Sequence, residues 1–183
     1  MVEVRLPEAK PAFEWVNGRA LQKVSPKLRH AVAQTAFVVA LERWARSRRA
    51  GVAGTEWRFR LKPPGEMRRP LVPDVAFLSY ARLPFARMQK VEEPVIAPDV
   101  AVEVKSPRDR KADVAEKVRV YLACGTSVVF LVDPSSRTVD IFDDRGISHL
   151  GADGVIRHEA LPRFRLEVRK LFELPRPRRL AKK

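Results

Sequence analysis

The sequence predicts an α/β chain that opens on a β-hairpin. Three observations carry this reading: the turn pair Asn17-Gly18 lies between two short runs, the helix-start pairs Ser25-Pro26 and Ser106-Pro107 open two longer stretches, and several short apolar runs are closed by proline, glycine or serine.

Taken in order, FEWVNGRALQKV (13 to 24) forms two short strands around Asn17-Gly18, because both central residues of a tight hairpin turn need positive φ. Ser25-Pro26 then supplies an N-cap and a proline at the first helical position, and predicts a helix to about Arg49. Its last turns carry Arg43, Arg46, Arg48 and Arg49, which suit either the helix dipole or contact with phosphate. Trp57, Phe59 and Leu61 alternate with charged residues as in a half-buried strand, and KPPGEMRRPLVP (62 to 73) reads as loop. Two strands follow, PDVAFL (73 to 78) and PDVAVEVK (98 to 105), separated by a segment broken by prolines. Their openings nearly repeat, but one short echo is no repeat architecture. Ser106-Pro107 begins a second helix, whose stripe of Val114, Val118, Tyr121 and Leu122 ends before Gly125. SVVFLVDP (127 to 134) and RTVDIF (137 to 142) are strands joined by turn residues.

The chain has 183 residues, enough for a single domain over 1–175 with a basic tail over 176–183. Hydrophobic residues at 45% and charged residues at 32% exclude wholesale disorder. The longest apolar runs fall short of the ~20 residues that cross a bilayer, so no membrane span is expected. No secretory signal is visible at the N-terminus, and the lone Cys124 excludes an intramolecular disulfide and a cysteine-built zinc cluster. A cytoplasmic protein is the expectation. Lys and Arg number 36 against 22 acids, a net charge of +14, which points to a polyanionic partner because neutralised phosphates release their counterions. Yet 25 of those cations are Arg, so genome composition or a hot habitat offers a competing explanation. If the charge serves function, arginines should flank the functional cleft.

The chemistry concentrates between Asp99 and Lys105. Side chains alternate across a strand, so Val100, Val102 and Val104 face one way, while Asp99, Ala101, Glu103 and Lys105 face the other. Glu103 and Lys105 are then about 6 to 7 Å apart. The preceding strand adds Asp74. Hydrolysis of a phosphodiester requires charge stabilisation at the phosphoryl oxygens and loss of a proton from water, and a hard divalent cation held by a few carboxylates meets both needs. Asp74 and Glu103, with a backbone carbonyl near Val104, could hold Mg²⁺ or Mn²⁺. Lys105 could orient the attacking water, helped by a lowered pKa beside the metal. The plain alternative for Glu103 and Lys105 is an ion pair on a solvated sheet face.

Pro73-Asp74 and Glu103-Val104-Lys105 resemble the PD-(D/E)xK nuclease motif, and the surrounding series resembles the Uma2 family of endonucleases. That series comprises the FEWVNGRAL hairpin, Ser25-Pro26 with His30 four residues on, VPDVAFL, PDVAVEVKSP, Asp109 through the helix with Lys117 and Tyr121, and GTSVVFLVDPSSRTVDIF. The resemblance implies a restriction endonuclease-like fold, a mixed central β-sheet flanked by helices, with an acidic metal-binding cluster. It carries over Asp74 and Glu103 as metal ligands and Asp99 as a candidate third acid. Family members often lack a lysine at the position of Lys105, which implies Lys117 as a substitute. Lys117 also suits an ordinary i, i+4 pair with Asp113. His30, with Gln34 one turn on, and Tyr121 are secondary candidates beside structural readings as helix residues. Glu14 matches a family glutamate, but its strand neighbours give no reason to place it near metal.

The leading expectation is a metal-dependent nuclease, with DNA favoured over RNA and a homodimer as a plausible source of two active sites. A nucleic-acid-binding protein on a nuclease scaffold, with catalysis weak or lost, is the alternative, and a polyphosphate or nucleotide hydrolase is a third. No phosphate-binding glycine loop or G-x-S-x-G elbow is present, the three histidines lack metal-ligand spacing, and Cys124 reads as packing.

Overall fold

The computed structural model describes residues 3–174; the tail cations Arg176, Arg178, Arg179, Lys182 and Lys183 lie outside the described residues. β1 (Phe13–Val16) and β2 (Arg19–Gln22) form the expected hairpin, with Asn17 and Gly18 at φ 48° and 73°. α1 (Leu28–Arg48) begins after Lys27, which makes no side-chain capping bond, so Ser25 does not cap it. The chain passes directly into β3 (Gly51–Thr55), a strand the sequence reading omitted because GVAGT offers little apolar bulk. Here a Cβ on Gly51 would lie 2.2 Å from the Leu78 carbonyl oxygen, so this pairing requires glycine.

β4 (Phe59–Leu61) pairs with β5 (Arg69–Leu71), which places a strand within the stretch expected to be loop. The sequence signal was hidden by prolines, one of which, Pro70, sits inside the strand on a two-stranded ribbon that tolerates it. β6 (Val75–Ser79), a short α2 (Phe85–Met88) and β7 (Val100–Val104) follow. α3 (Lys111–Ala123) starts later than Ser106, whose N–H is instead turned onto the Asp109 carboxylate at 2.7 Å. Gly125, at φ 93°, ends it as expected. β8 (Val128–Asp133), β9 (Thr138–Asp143) and β10 (Gly146–Leu150) make a meander, and β11 (Val155–Ile156) pairs with β12 (Leu166–Glu167).

The central sheet has six strands in the order β10-β9-β8-β7-β6-β3. β7 and β8 run parallel, joined by α3, and the other pairings are antiparallel. α1 covers one face, where Phe37 meets Phe130 at 5.4 Å and Trp44 meets Phe77 at 5.2 Å. α3 and the β4–β5 ribbon cover the other, with Tyr121 and Val118 against Ala76, Ala101 and Val129. β7 is therefore buried on both faces, and Glu103 is not on a solvated surface. Each large side chain buried this way contributes about 1.5–3 kcal/mol. No helix among the described residues is long and apolar enough to cross a membrane.

Candidate active site

The antiparallel register of β6 and β7 pairs Val75 with Val102, which brings Asp74 beside Glu103 at one end of the two strands. Asp74 is held from three sides. Its Oδ2 accepts the Val104 N–H at 2.7 Å and faces His30 Nε2 at 3.3 Å, while Oδ1 accepts from Lys23 Nζ at 2.6 Å. His30 reaches it from the first turn of α1. One turn on, Gln34 Nε2 donates to the Asp74 carbonyl at 2.9 Å. Glu103 lies under α3, where its Oε1 accepts from the Tyr121 hydroxyl at 2.9 Å and its Oε2 accepts from Lys117 Nζ. Lys117 also lies 3.0 Å from Glu14 of β1, whose second oxygen accepts the Val72 N–H at 2.7 Å.

Three buried carboxylates, Glu14, Asp74 and Glu103, are thus gathered around two ammonium groups, those of the largely buried Lys23 and the buried Lys117. Lys117 is not paired with Asp113 as helix spacing allowed. Asp113 instead takes Asn17 Nδ2 at 2.8 Å and Arg19 at 2.6 Å, which docks the hairpin turn onto α3 and carries Glu14 inward.

Lys105 and Asp99 lie outside this cluster. Lys105, on the rim, pairs with Asp133 at 2.6 Å, so Glu103 and Lys105 are not partners despite sharing a strand face. Asp99 is about 13 Å along the strand from Glu103. Its oxygens take the Ser79 N–H at 2.7 Å and Arg82 at 2.9 Å, so it is not gathered with the other two acids. Sequence reasoning missed Lys23 and undervalued Glu14. Glu14 carried a signal, since it shares a hairpin face with buried Val16.

Burial opposes charge on each of these groups, so the direction of each shift shows which influence prevails. For Asp74, burial would raise the pKa, but the Lys23 ammonium and the His30 hydrogen bond hold it well below the usual carboxylate range. For Glu103 burial prevails: Lys117 offsets it only in part, Asp74 and Glu14 add to it, and the carboxyl is pushed up to about 7. Burial pulls Lys117 down, yet Glu103 and Glu14 outweigh it and keep the ammonium above the ordinary lysine value, opposite to the lowering expected of a general base. Burial likewise opposes protonation of His30, and its bond to Asp74 overcomes this. Burial and the neighbouring Glu103 carry the Tyr121 phenol well above its ordinary value, so it stays a donor.

A cavity of about 1200 Å³ opens onto the cluster. Its lining includes eight Lys and Arg side chains and eight carboxylates, so its wall has no cationic excess. Arg58, Arg108 and Arg110 stand among them, but the expected arginine flank is only partly here. Arg48 lies 18 residues beyond His30 on α1, about 27 Å along its axis. Arg43, Arg46 and Arg48 therefore belong to the far end of α1, while Arg29 precedes His30 in its first turn.

The donor set has the chemistry for a hard divalent cation: carboxylate oxygens from two adjacent strands beside backbone carbonyls. Lys23 shows that the Asp74 side of this set accepts a cation, because its Nζ lies 2.6 Å from Asp74 Oδ1, 2.8 Å from the Val72 carbonyl and 3.1 Å from Glu56 Oε1. The residues fit Mg²⁺ or Mn²⁺ by chemistry. As the side chains stand, however, no three His, Cys, Asp or Glu residues among the described residues converge to hold an ion.

The family model Uma2, described as "Putative restriction endonuclease", matches residues 4–169. Among solved structures the chain is similar to "a putative nuclease belonging to DUF820" from Anabaena variabilis, with TM-score 0.80 and 25% identity, covering 91% of this chain and 93% of that one. No curated protein matches. With the mixed sheet, the N-terminal hairpin and the Asp74–Glu103 pair all in place, and the family model spanning most of its length, the chain belongs to the Uma2 family.

Proposed function

We propose that the protein is a metal-dependent nuclease that hydrolyses phosphodiester bonds, with DNA favoured over RNA as substrate. One observation carries the reading: Asp74 and Glu103 lie side by side at one end of neighbouring strands, Glu103 bonded to Lys117, and all three line a cavity in a chain of nuclease family and fold. Asp74 and Glu103 are the residues that would hold Mg²⁺ or Mn²⁺. When bound, such an ion supplies positive charge for the phosphoryl oxygens and acidifies a water.

Within this reading each side chain has a task. Lys117, fixed on α3 and kept protonated by two carboxylates, orients the attacking water and offsets charge developing on the phosphate. Tyr121 holds Glu103 in one orientation. His30 and the Val104 N–H do the same for Asp74. Rim residues Lys105, Arg108 and Arg110 contact the flanking phosphates. Cutting both strands of a duplex needs two such sites, which a homodimer would supply, and a cytoplasmic setting belongs to the same proposal. The test is cleavage of plasmid, single-stranded DNA and RNA with Mg²⁺ or Mn²⁺. Glu103→Gln should lose roughly a hundredfold or more of the wild-type rate; equal rates would end the nuclease reading.

The neutralisation of the acids by Lys23 and Lys117 also favours a second reading, a nucleic-acid-binding protein with weak or lost catalysis. It expects binding that weakens steeply with salt and survives Glu103→Gln, with no metal-dependent cleavage by wild type.

A further inference from the structure

The two lysines of the site are held in different ways. Lys117 belongs to the ordered turns of α3 and bridges Glu103 and Glu14, both almost wholly buried. Lys23 comes from the segment between β2 and α1, which has no regular structure, and its backbone N–H is tied to the Ala12 carbonyl at 2.9 Å. Its ammonium has three oxygen partners, on Asp74, Val72 and Glu56, which match the three donors an ammonium owns. Two of those partners are buried. The third, Glu56, has a side chain 45% exposed at the cavity edge, so the ammonium has an outlet on that side. Rotation about the four-carbon stem can carry the charge into the cavity while the backbone bond to Ala12 stays in place.

We propose that Lys23 is the resident counter-cation of Asp74, and that a divalent metal binds Asp74 only in exchange for the Lys23 ammonium. This rests on the nuclease reading above and adds to it a control on metal entry. An ion on Asp74 would otherwise stand within a few ångströms of a positive charge in a poorly hydrated site, where repulsion is strongest. Expulsion of the ammonium removes that repulsion and releases Glu56. In the absence of metal, Lys23 keeps the buried Asp74 carboxylate paired, so that its charge is not left uncompensated. The exchange also makes metal affinity weaker than the carboxylates alone would set.

Two measurements test this without relying on catalysis. Mn²⁺ binding is followed by electron paramagnetic resonance of the free ion for wild type, Lys23→Met and Lys10→Met, the last removing a charge from the cavity lining without touching Asp74. Lys23→Met should bind Mn²⁺ roughly tenfold or more tightly than wild type, and Lys10→Met should stay close to wild type. In unaltered protein, reductive methylation read by mass spectrometry should label Lys23 faster with saturating Mn²⁺ than without, while Lys117 stays protected. Should Lys23→Met fail to fold, the labelling decides alone. Equal Mn²⁺ affinity in wild type and Lys23→Met, no Mn²⁺ binding by any form, or unchanged Lys23 labelling with Mn²⁺ bound would each overturn the exchange. Exchange without any cleavage of nucleic acid leaves it standing and removes the nuclease reading; cleavage with equal Mn²⁺ affinities does the reverse.

Discussion

Asp74 and Asp99 occupy equivalent places on neighbouring strands: each follows a proline, precedes an apolar run and accepts a backbone N–H from the end of the other strand. The acceptor distance is 2.7 Å in both cases, from Val104 to Asp74 and from Ser79 to Asp99. Because β6 and β7 are antiparallel, equivalent positions fall at opposite ends of the sheet. At the Asp74 end the hairpin, the first turn of α1 and α3 converge, and they bring Lys23, His30, Lys117 and Glu14. At the Asp99 end the polar partners are Ser79 and Arg82, whose side chain is 30% exposed. The shared motif thus accounts for the capped N–H, while topology decides which aspartate acquires a buried set of charges.

The largest expected difference between the two ends is in stability. Asp74→Ala leaves the largely buried Lys23 without its closest partner and Val104 without its acceptor, and should cost about 3–5 kcal/mol in urea unfolding. Asp99→Ala, with Arg82 able to turn to water, should cost about 1–2 kcal/mol. Similar losses at both would break the comparison.

Within the cluster, Asp74 and Glu103 should respond to pH in opposite directions. The Asp74 carboxyl has a lowered pKa, so its contribution is present above about pH 4 and lost on acidification below that. Glu103 is raised from 4.5 to about 7, so the folded state binds more protons across that interval and stability falls as pH rises through it. The expected decline between pH 4.5 and pH 7 is roughly 3 kcal/mol. Denaturation midpoints across pH for wild type and Glu103→Gln check this, because the substitution should remove the decline.

Smaller effects distinguish the buried site from its rim. Tyr121→Phe removes one hydrogen bond to Glu103 and should cost about 1–2 kcal/mol. Lys105→Ala breaks an ion pair whose lysine is 37% exposed, and should cost no more than about 1 kcal/mol. A larger cost at Lys105 than at Tyr121 would move the energetic centre of the site outward.

What the sequence disclosed follows the range of the interactions. The Pro-Asp and E-x-K elements were legible because each is written in a few consecutive residues, and the mixed sheet followed from the resemblance they support. Lys117 was legible only through the family resemblance, and Tyr121 through its place one turn later on the same helix, though their partner Glu103 lies 14 and 18 residues away. Lys23 was not legible, because its meaning depends on Asp74, 51 residues further along the chain. β3 and β10 escaped for a different reason. GVAGT is held by backbone pairing with close approach at Gly51, and GISHL is a largely exposed edge strand, so neither carries the apolar alternation that marks a half-buried strand.

Under the proposed function, topology makes Asp74, and not its counterpart Asp99, the acid of a metal-dependent nuclease. The most direct measurement is cleavage of supercoiled plasmid with Mg²⁺ by wild type, Asp74→Asn and Asp99→Asn, each verified as folded by circular dichroism. The account predicts cleavage by wild type and Asp99→Asn at similar rates and a loss of roughly a hundredfold or more in Asp74→Asn. Undiminished cleavage by Asp74→Asn, or equal losses in the two variants, would contradict it.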